Sequence, residues 1–140
     1  MIPYLILSCP QGMILIDENG QQAMQKTTPE KYLEQVCLKN GSTLEGREKS
    51  FRVLTQGSQK AGVLVNESTH EFWFPTLSRK NENCVWIAYF HTVKAFPCQG
   101  NTCEILFDNG MRYSVACSTR TIQMQLKRCR TFLEKINENC

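Results

Sequence analysis

No apolar run in this chain approaches the roughly 20 residues that span a bilayer. The longest apolar opening, Met1-Ile2-Pro3-Tyr4-Leu5-Ile6-Leu7-Ser8, has no basic flank and is cut short by Cys9-Pro10-Gln11-Gly12, which does not suit a secretory leader. Together these absences predict a cytoplasmic protein with no membrane partner. Signatures of common chemistry are missing too. No Gly-x-x-x-x-Gly-Lys or Gly-x-Gly-x-x-Gly is present to cradle phosphates, and no Cys-x-x-Cys to grip zinc. The acids are scattered (Asp17, Glu45, Glu71, Asp108), so paired carboxylates are not indicated. Cys84 with His70 or His91 is the one nucleophile–base pairing worth naming. No glycine-rich elbow surrounds Cys84, and Val85-Trp86 follow it directly, so it reads as a buried strand cysteine. The expectation is a protein that is not an enzyme, with no cofactor and no metal.

What remains is ordinary globular material. A length of 140 residues suits one domain over 1–140, and 41% hydrophobic with 21% charged residues is enough for a core. Neither a repeat nor a low-complexity linker divides it. Sixteen basic residues against thirteen acidic give a net charge of only +3, so a nucleic-acid partner would require the cations to gather on one face. Eight cysteines would suit a disulfide scaffold. Without a leader, reduced thiols fit better. Cys37, Cys117 and Cys129 sit in apolar patterns, where a thiol acts as a small hydrophobe. Zinc on Cys98, Cys103 and either another thiol or His91 is the alternative.

The pattern predicts an α+β fold, an antiparallel sheet with an N-terminal helix and a long C-terminal helix. Ile2–Leu7 and Met13–Ile16 read as paired strands. A helix follows with Thr27 or Thr28 as cap, Pro29 in its first turn, and Asn40-Gly41 at its end. From Ser42 to Lys60 the chain is polar and basic, and a short helix or an ordered loop fits equally well. Ala61–Val65 and Phe72-Trp73-Phe74 are strand candidates, and Val85–Phe96 reads as one long strand. Asp108-Asn109-Gly110 joins two strands in a tight hairpin, since Asn-Gly supplies positive φ angles. Over Ser118–Asn137, Ile122, Leu126, Cys129, Phe132, Leu133 and Ile136 form a helical stripe, with Arg120, Lys127, Arg128 and Lys135 mainly opposite. That stripe either covers the sheet or forms part of a dimer contact.

Two features point beyond the core. Phe72-Trp73-Phe74 could stack bases as single-strand binders do, but the chain-stopping Pro75 makes core packing the simpler reading. Arg47, Lys49 and Arg52 lie within six residues, and Arg79-Lys80 occupy a loop between apolar segments. Such side chains release counterions from DNA phosphates, and arginine enters narrow A/T-rich minor grooves. On these residues alone a solvated surface is the simpler reading.

Phe72-Trp73-Phe74-Pro75-Thr76-Leu77-Ser78, a short polar loop, then Cys84-Val85-Trp86-Ile87 and on to His91 and Lys94 resembles the ComK family of competence transcription factors. Ser42-Thr43-Leu44-Glu45-Gly46-Arg47 with Lys60-Ala61-Gly62 is similar to the same family's Gly-Arg segment, and the resemblance continues through Asp108-Asn109-Gly110 into the final helix. It covers about residues 42–136, with 1–41 only weakly similar. The resemblance implies a transcription activator in competence that binds double-stranded A/T-rich DNA through the minor groove, as a homodimer or higher assembly. RNA polymerase or a related regulator is a further partner. It also implies DNA contacts at Arg47, Lys49, Arg52, Lys60, Arg79, Lys80, His91 and Lys94, with the aromatics and Pro75 as framework. Longer family members continue with a C-terminal tail, which this sequence is expected to lack. A protein-interaction module that modulates a longer relative, with little DNA binding of its own, is the alternative.

Overall fold

Strands whose successive side chains are all apolar need a partner on each face of their sheet. Phe72-Trp73-Phe74 and Trp86-Ile87 are such segments, and all five side chains are buried. The computed structural model describes residues 2–57 and 59–138, so Cys140 lies outside the described residues. Its elements run β1 (Pro3–Cys9), β2 (Gly12–Asp17), β3 (Gln22–Gln25), α1 (Pro29–Lys39), α2 (Leu44–Thr55), β4 (Val63–Asn66), β5 (Glu71–Pro75) and β6 (Val85–Ala88). A 3-10 turn (Tyr89–His91), β7 (Thr92–Pro97), β8 (Cys103–Phe107), β9 (Arg112–Val115) and α3 (Thr119–Glu138) follow. The fold is α+β with a long C-terminal helix as expected, although three strands precede the N-terminal helix and the strands form two sheets rather than one.

The larger sheet has the order β3-β2-β1-β6-β5-β4, and β7-β8-β9 form the second. All pairings are antiparallel. Alternation sorts the larger sheet's side chains into two clusters. Ile6, Met13, Leu15, Val63, Val65, Trp73 and Trp86 pack with Leu33 and Cys37 of α1. Leu5, Leu64, Phe72, Phe74 and Ile87 pack with Ile105 and Phe107 of the small sheet, Ile122, Cys129 and Phe132 of α3, and Phe51 of α2. The last-helix stripe therefore covers the sheets through Ile122, Cys129 and Phe132, while Leu126, Leu133 and Ile136 are only partly buried.

Local chemistry explains the elements. Thr28 caps α1, its side chain accepting from the Lys31 amide, with Pro29 in the first turn and Asn40 at the C-cap. Gly110, at φ +88°, closes the β8–β9 hairpin. Ser42–Lys60 resolves as a helix over most of its length. Thr43 accepts from the Gly46 amide at 2.9 Å, and Leu44, Glu48 and Phe51 fall on one buried face. Gln56, in the left-handed region at φ 63°, ends it.

The long strand expected over Val85–Phe96 is corrected. β6 pairs with β1 and β5 only as far as Ala88, and the 3-10 turn then carries the chain across to the small sheet as β7. Tyr89 and Phe90 turn back onto Phe72, with ring centroids 5.3 and 6.3 Å away, and the Thr92 hydroxyl donates to the Ala88 carbonyl at 2.8 Å. A corner thus replaces a continuous strand. It is tied down on its far side. The Tyr4 hydroxyl donates to Asp108 at 2.7 Å, His91 Nδ1 lies 2.9 Å from the other Asp108 oxygen, and the Tyr4 and His91 rings stack at 4.5 Å.

Candidate nucleic-acid interface

The loop between β5 and β6 is held at its base. The Thr76 amide donates to the Val85 carbonyl at 2.9 Å, and the Val85 amide donates to the Thr76 hydroxyl at 3.0 Å. Its tip carries Ser78, Arg79 and Lys80 beside the C-terminal half of α2. There Glu48, Arg52, Gln59, Ser78, Arg79 and Lys80 line a cleft of about 480 Å³. Three of the residues expected to contact DNA therefore share one concave surface. Lys49 is exposed on α2, three residues before Arg52.

Lys60 lies next door. A second cleft, of about 320 Å³, is lined by Gln59, Lys60, Thr121, Met124, Gln125 and Arg128. Gln59 stands in both walls, so the two clefts lie side by side between the β5–β6 loop and α3. The second cleft is braced by Gln125, a buried polar residue inside the apolar stripe of α3. Its amide nitrogen donates to the Lys60 carbonyl at 3.0 Å and the Pro75 carbonyl at 2.9 Å, and its oxygen accepts from Arg128 at 2.6 Å. One side chain thus fixes α3, the segment before β4, and the foot of the basic loop together.

The other expected residues lie elsewhere. Arg47 is half-buried on α2, with Nη2 3.4 Å from the Val65 carbonyl and Nε buried without a partner among the described residues. His91 lines neither cleft; it is occupied by Asp108 and Tyr4 at the corner. Lys94 is exposed on β7, its ammonium 4.7 Å above the Phe96 ring, which also carries Arg112 at 4.9 Å. Asp108 feels opposing effects. Desolvation raises its pKa, but hydrogen bonds from Tyr4 and His91 outweigh this and hold it below the ordinary carboxylate range.

The charge balance in the first cleft is not one-sided. Arg79 lies 2.9 Å from Glu30 and 3.2 Å from Glu48, the second contact lacking hydrogen-bond geometry. Glu48 is buried, and desolvation raises its pKa against the lowering pull of Arg79 and Arg52. A carboxyl with a raised native pKa binds its proton more tightly folded than unfolded. Its contribution to stability is therefore full in acid and is lost as pH rises from about 4 through the raised value. Glu48→Gln keeps the shape and removes this titration. Urea midpoints of the variant should fall less than wild type as pH rises over that window. With one anion gone from the cleft, duplex DNA should bind about three- to tenfold tighter at low salt, as order-of-magnitude screened charges allow. Unchanged or weaker binding would count against this cleft as the DNA surface.

Arg128 and Gln125 were missed in the sequence. Arg128 was assigned to the solvent side of α3; it is instead half-buried, with its guanidinium carbon 5.0 Å above the Phe51 ring. The signal was a glutamine in an otherwise apolar stripe at Ile122, Cys129 and Phe132. A polar side chain at a core position must find partners. The aromatic run Phe72-Trp73-Phe74 is buried and serves as framework.

The cysteines behave as small apolar residues. The seven described thiols are free, and Cys37, Cys84, Cys103, Cys117 and Cys129 are buried. The Cys84 thiol donates to the Leu77 carbonyl at 3.4 Å, and burial raises its pKa, which disfavours a thiolate nucleophile. Among the described residues no three His, Cys, Asp or Glu side chains are placed to hold a metal ion. Among them, too, no helix is long and apolar enough to cross a membrane.

The family model described as ComK protein matches residues 8–140. Over 100 residues the chain is 28% identical to the competence transcription factor of Bacillus subtilis (strain 168), a match covering 71% of this chain and 52% of the relative. The chain spans about half the length of the curated relative that it matches. No solved structure matches.

Proposed function

Because the chain belongs to the ComK family, we propose that it is a sequence-selective, DNA-binding transcription regulator, activator-like and acting in competence. The reading extends to A/T-rich duplex sites approached through the minor groove by a dimer, in the cytoplasm, with RNA polymerase or a related regulator as a further partner and no catalysis. The observation that carries it is the pair of adjacent clefts, sharing Gln59, that are lined by Arg52, Arg79, Lys80, Lys60 and Arg128. Basic side chains there gain affinity by releasing counterions from phosphates, while arginine reads groove width and potential. The groove between β7 and α3, where exposed Val93 faces partly buried Leu126 and Leu133, supports packing of a second copy. The shared central sheet between the two buried clusters supports a single domain over 1–140.

A second reading has one observation in its favour. The Arg79 charge is already answered by Glu30 and Glu48, as suits a protein-interaction module with little DNA binding of its own. Fluorescence anisotropy on A/T-rich and G/C-rich duplexes, repeated across salt, separates the two. The DNA reading expects tighter binding to A/T-rich duplex and two protomers per site at saturation. It also expects a log–log salt slope of about −0.9 per neutralised phosphate. No binding to either duplex, with capture of a longer family member, would establish the second reading instead.

A further inference from the structure

Among the arginines of this surface, Arg79 carries two carboxylate partners, and Arg128 has none among the described residues. Arg128 is nonetheless tightly placed. Nη1 donates to the Gln125 side chain at 2.6 Å and to the Lys60 carbonyl at 3.3 Å, and the guanidinium stacks on Phe51. Both acceptors are neutral. Nη2 is shielded from solvent and has no hydrogen-bond partner among the described residues. Desolvation lowers the Arg128 pKa, the direction expected of a cation lacking a counter-ion. No acidic residue lines the cleft that Arg128 shares with Gln59, Lys60, Thr121, Met124 and Gln125.

A half-buried guanidinium is costly to maintain unless an anion completes it. Arginine is suited to phosphate oxygens because its donors are rigidly arrayed and its charge persists at any working pH. A brace of neutral partners fixes the guanidinium without neutralising its charge. Resting on the DNA reading above, we infer that Arg128 is a phosphate-binding residue. Held by Gln125 and Phe51, it takes a backbone phosphodiester of the duplex into the cleft between α3 and the segment before β4. Arg52 and Lys80 face the same duplex from the neighbouring cleft, and Arg128 supplies a fixed point on α3 that sets its register.

The test uses the full chain. Arg128→Gln should weaken A/T-rich duplex binding about tenfold at low salt and make the salt slope less negative by about 0.9, leaving the A/T over G/C preference unchanged. Arg128→Lys, which keeps the charge, should retain most of that slope. Single methylphosphonate substitutions along the duplex should reveal a position that costs wild type affinity but is silent in Arg128→Gln. Thermal unfolding with inorganic phosphate, against chloride at equal ionic strength, reads the site without DNA. Wild type should be stabilised by phosphate and Arg128→Gln should not. Phosphate stabilisation of wild type alone, with no duplex bound, would keep the anion site and reject DNA as its source. Duplex binding with the same affinity and slope in Arg128→Gln would overturn the assignment and leave the DNA reading standing. If wild type responds to neither duplex nor phosphate, both fail.

Discussion

Phe51→Ala is expected to destabilise the protein by about 3–5 kcal/mol, read as a lower urea midpoint at unchanged slope. Phe51 is about 1% exposed and sits where α2, β5 and α3 meet. Its ring lies 6.3 Å from Phe72 in an edge contact, 5.3 Å from Phe132 of α3, and beneath the Arg128 guanidinium. Gly62 adjoins it so closely that a Cβ built there would come within 2.8 Å of a ring carbon. No neighbour is positioned to refill the gap, because Phe72 and Phe132 are themselves anchored in the sheet and in α3. Phe51→Leu, which conserves most of the volume, should cost about 1.5 kcal/mol or less. An alanine cost near that of leucine would mean that the site collapses freely. Such a result would deny Phe51 its central role.

The largest loss of function is expected from reversing two charges at once. Arg52→Glu with Lys80→Glu puts two carboxylates into the first cleft beside Glu48, with no gain in buried area. Each cation lost from a groove contact costs about 1–3 kcal/mol, and like-charge repulsion from phosphate adds to it. Affinity for A/T-rich duplex should fall by more than about a hundredfold at low salt. Lys80 is exposed, so its reversal alone should leave thermal stability near wild type, whereas Arg52→Glu removes a cation that eases the buried Glu48 and should lower it. Intact tight binding would move the DNA surface away from these clefts. The His91–Lys94 side of the molecule would then be the next candidate.

Much of the fold was legible because its signals are local. Thr28-Pro29, Asn40-Gly41 and Asn109-Gly110 each carry their backbone geometry in residue type, and α1 and the β8–β9 hairpin stand where these mark them. What escaped depends on distant partners. The strand β3 is polar and lies at the sheet edge, visible only through its pairing with β2. The buried face of α2 includes Glu48, so the apolar period was broken where Arg79 answers the acid from 31 positions away. The break at Tyr89 follows from two sheets competing for one strand, which composition does not encode.

The site was half legible for the same reason. Arg52, Arg79 and Lys80 were identified by sign and position, and the fold brings them together. Arg47 looked equivalent to Arg52 in the sequence. Five positions along a helix, the two point differently, and only packing against Val65 shows which one is turned inward. The helical period puts Arg128 on the wet side of α3, where charge usually lies. Gln125 alone signalled otherwise.

The placement of β1 has a consequence for how the protein is made. This first strand lies inside the larger sheet, between β2 and β6, and Leu5 pairs with Ile87. Tyr4 reaches its acceptor 104 residues further on. A ribosome must therefore release well over half of the chain before the opening hairpin finds its inner neighbour. Until then an apolar, unpaired strand edge is available to any other nascent chain.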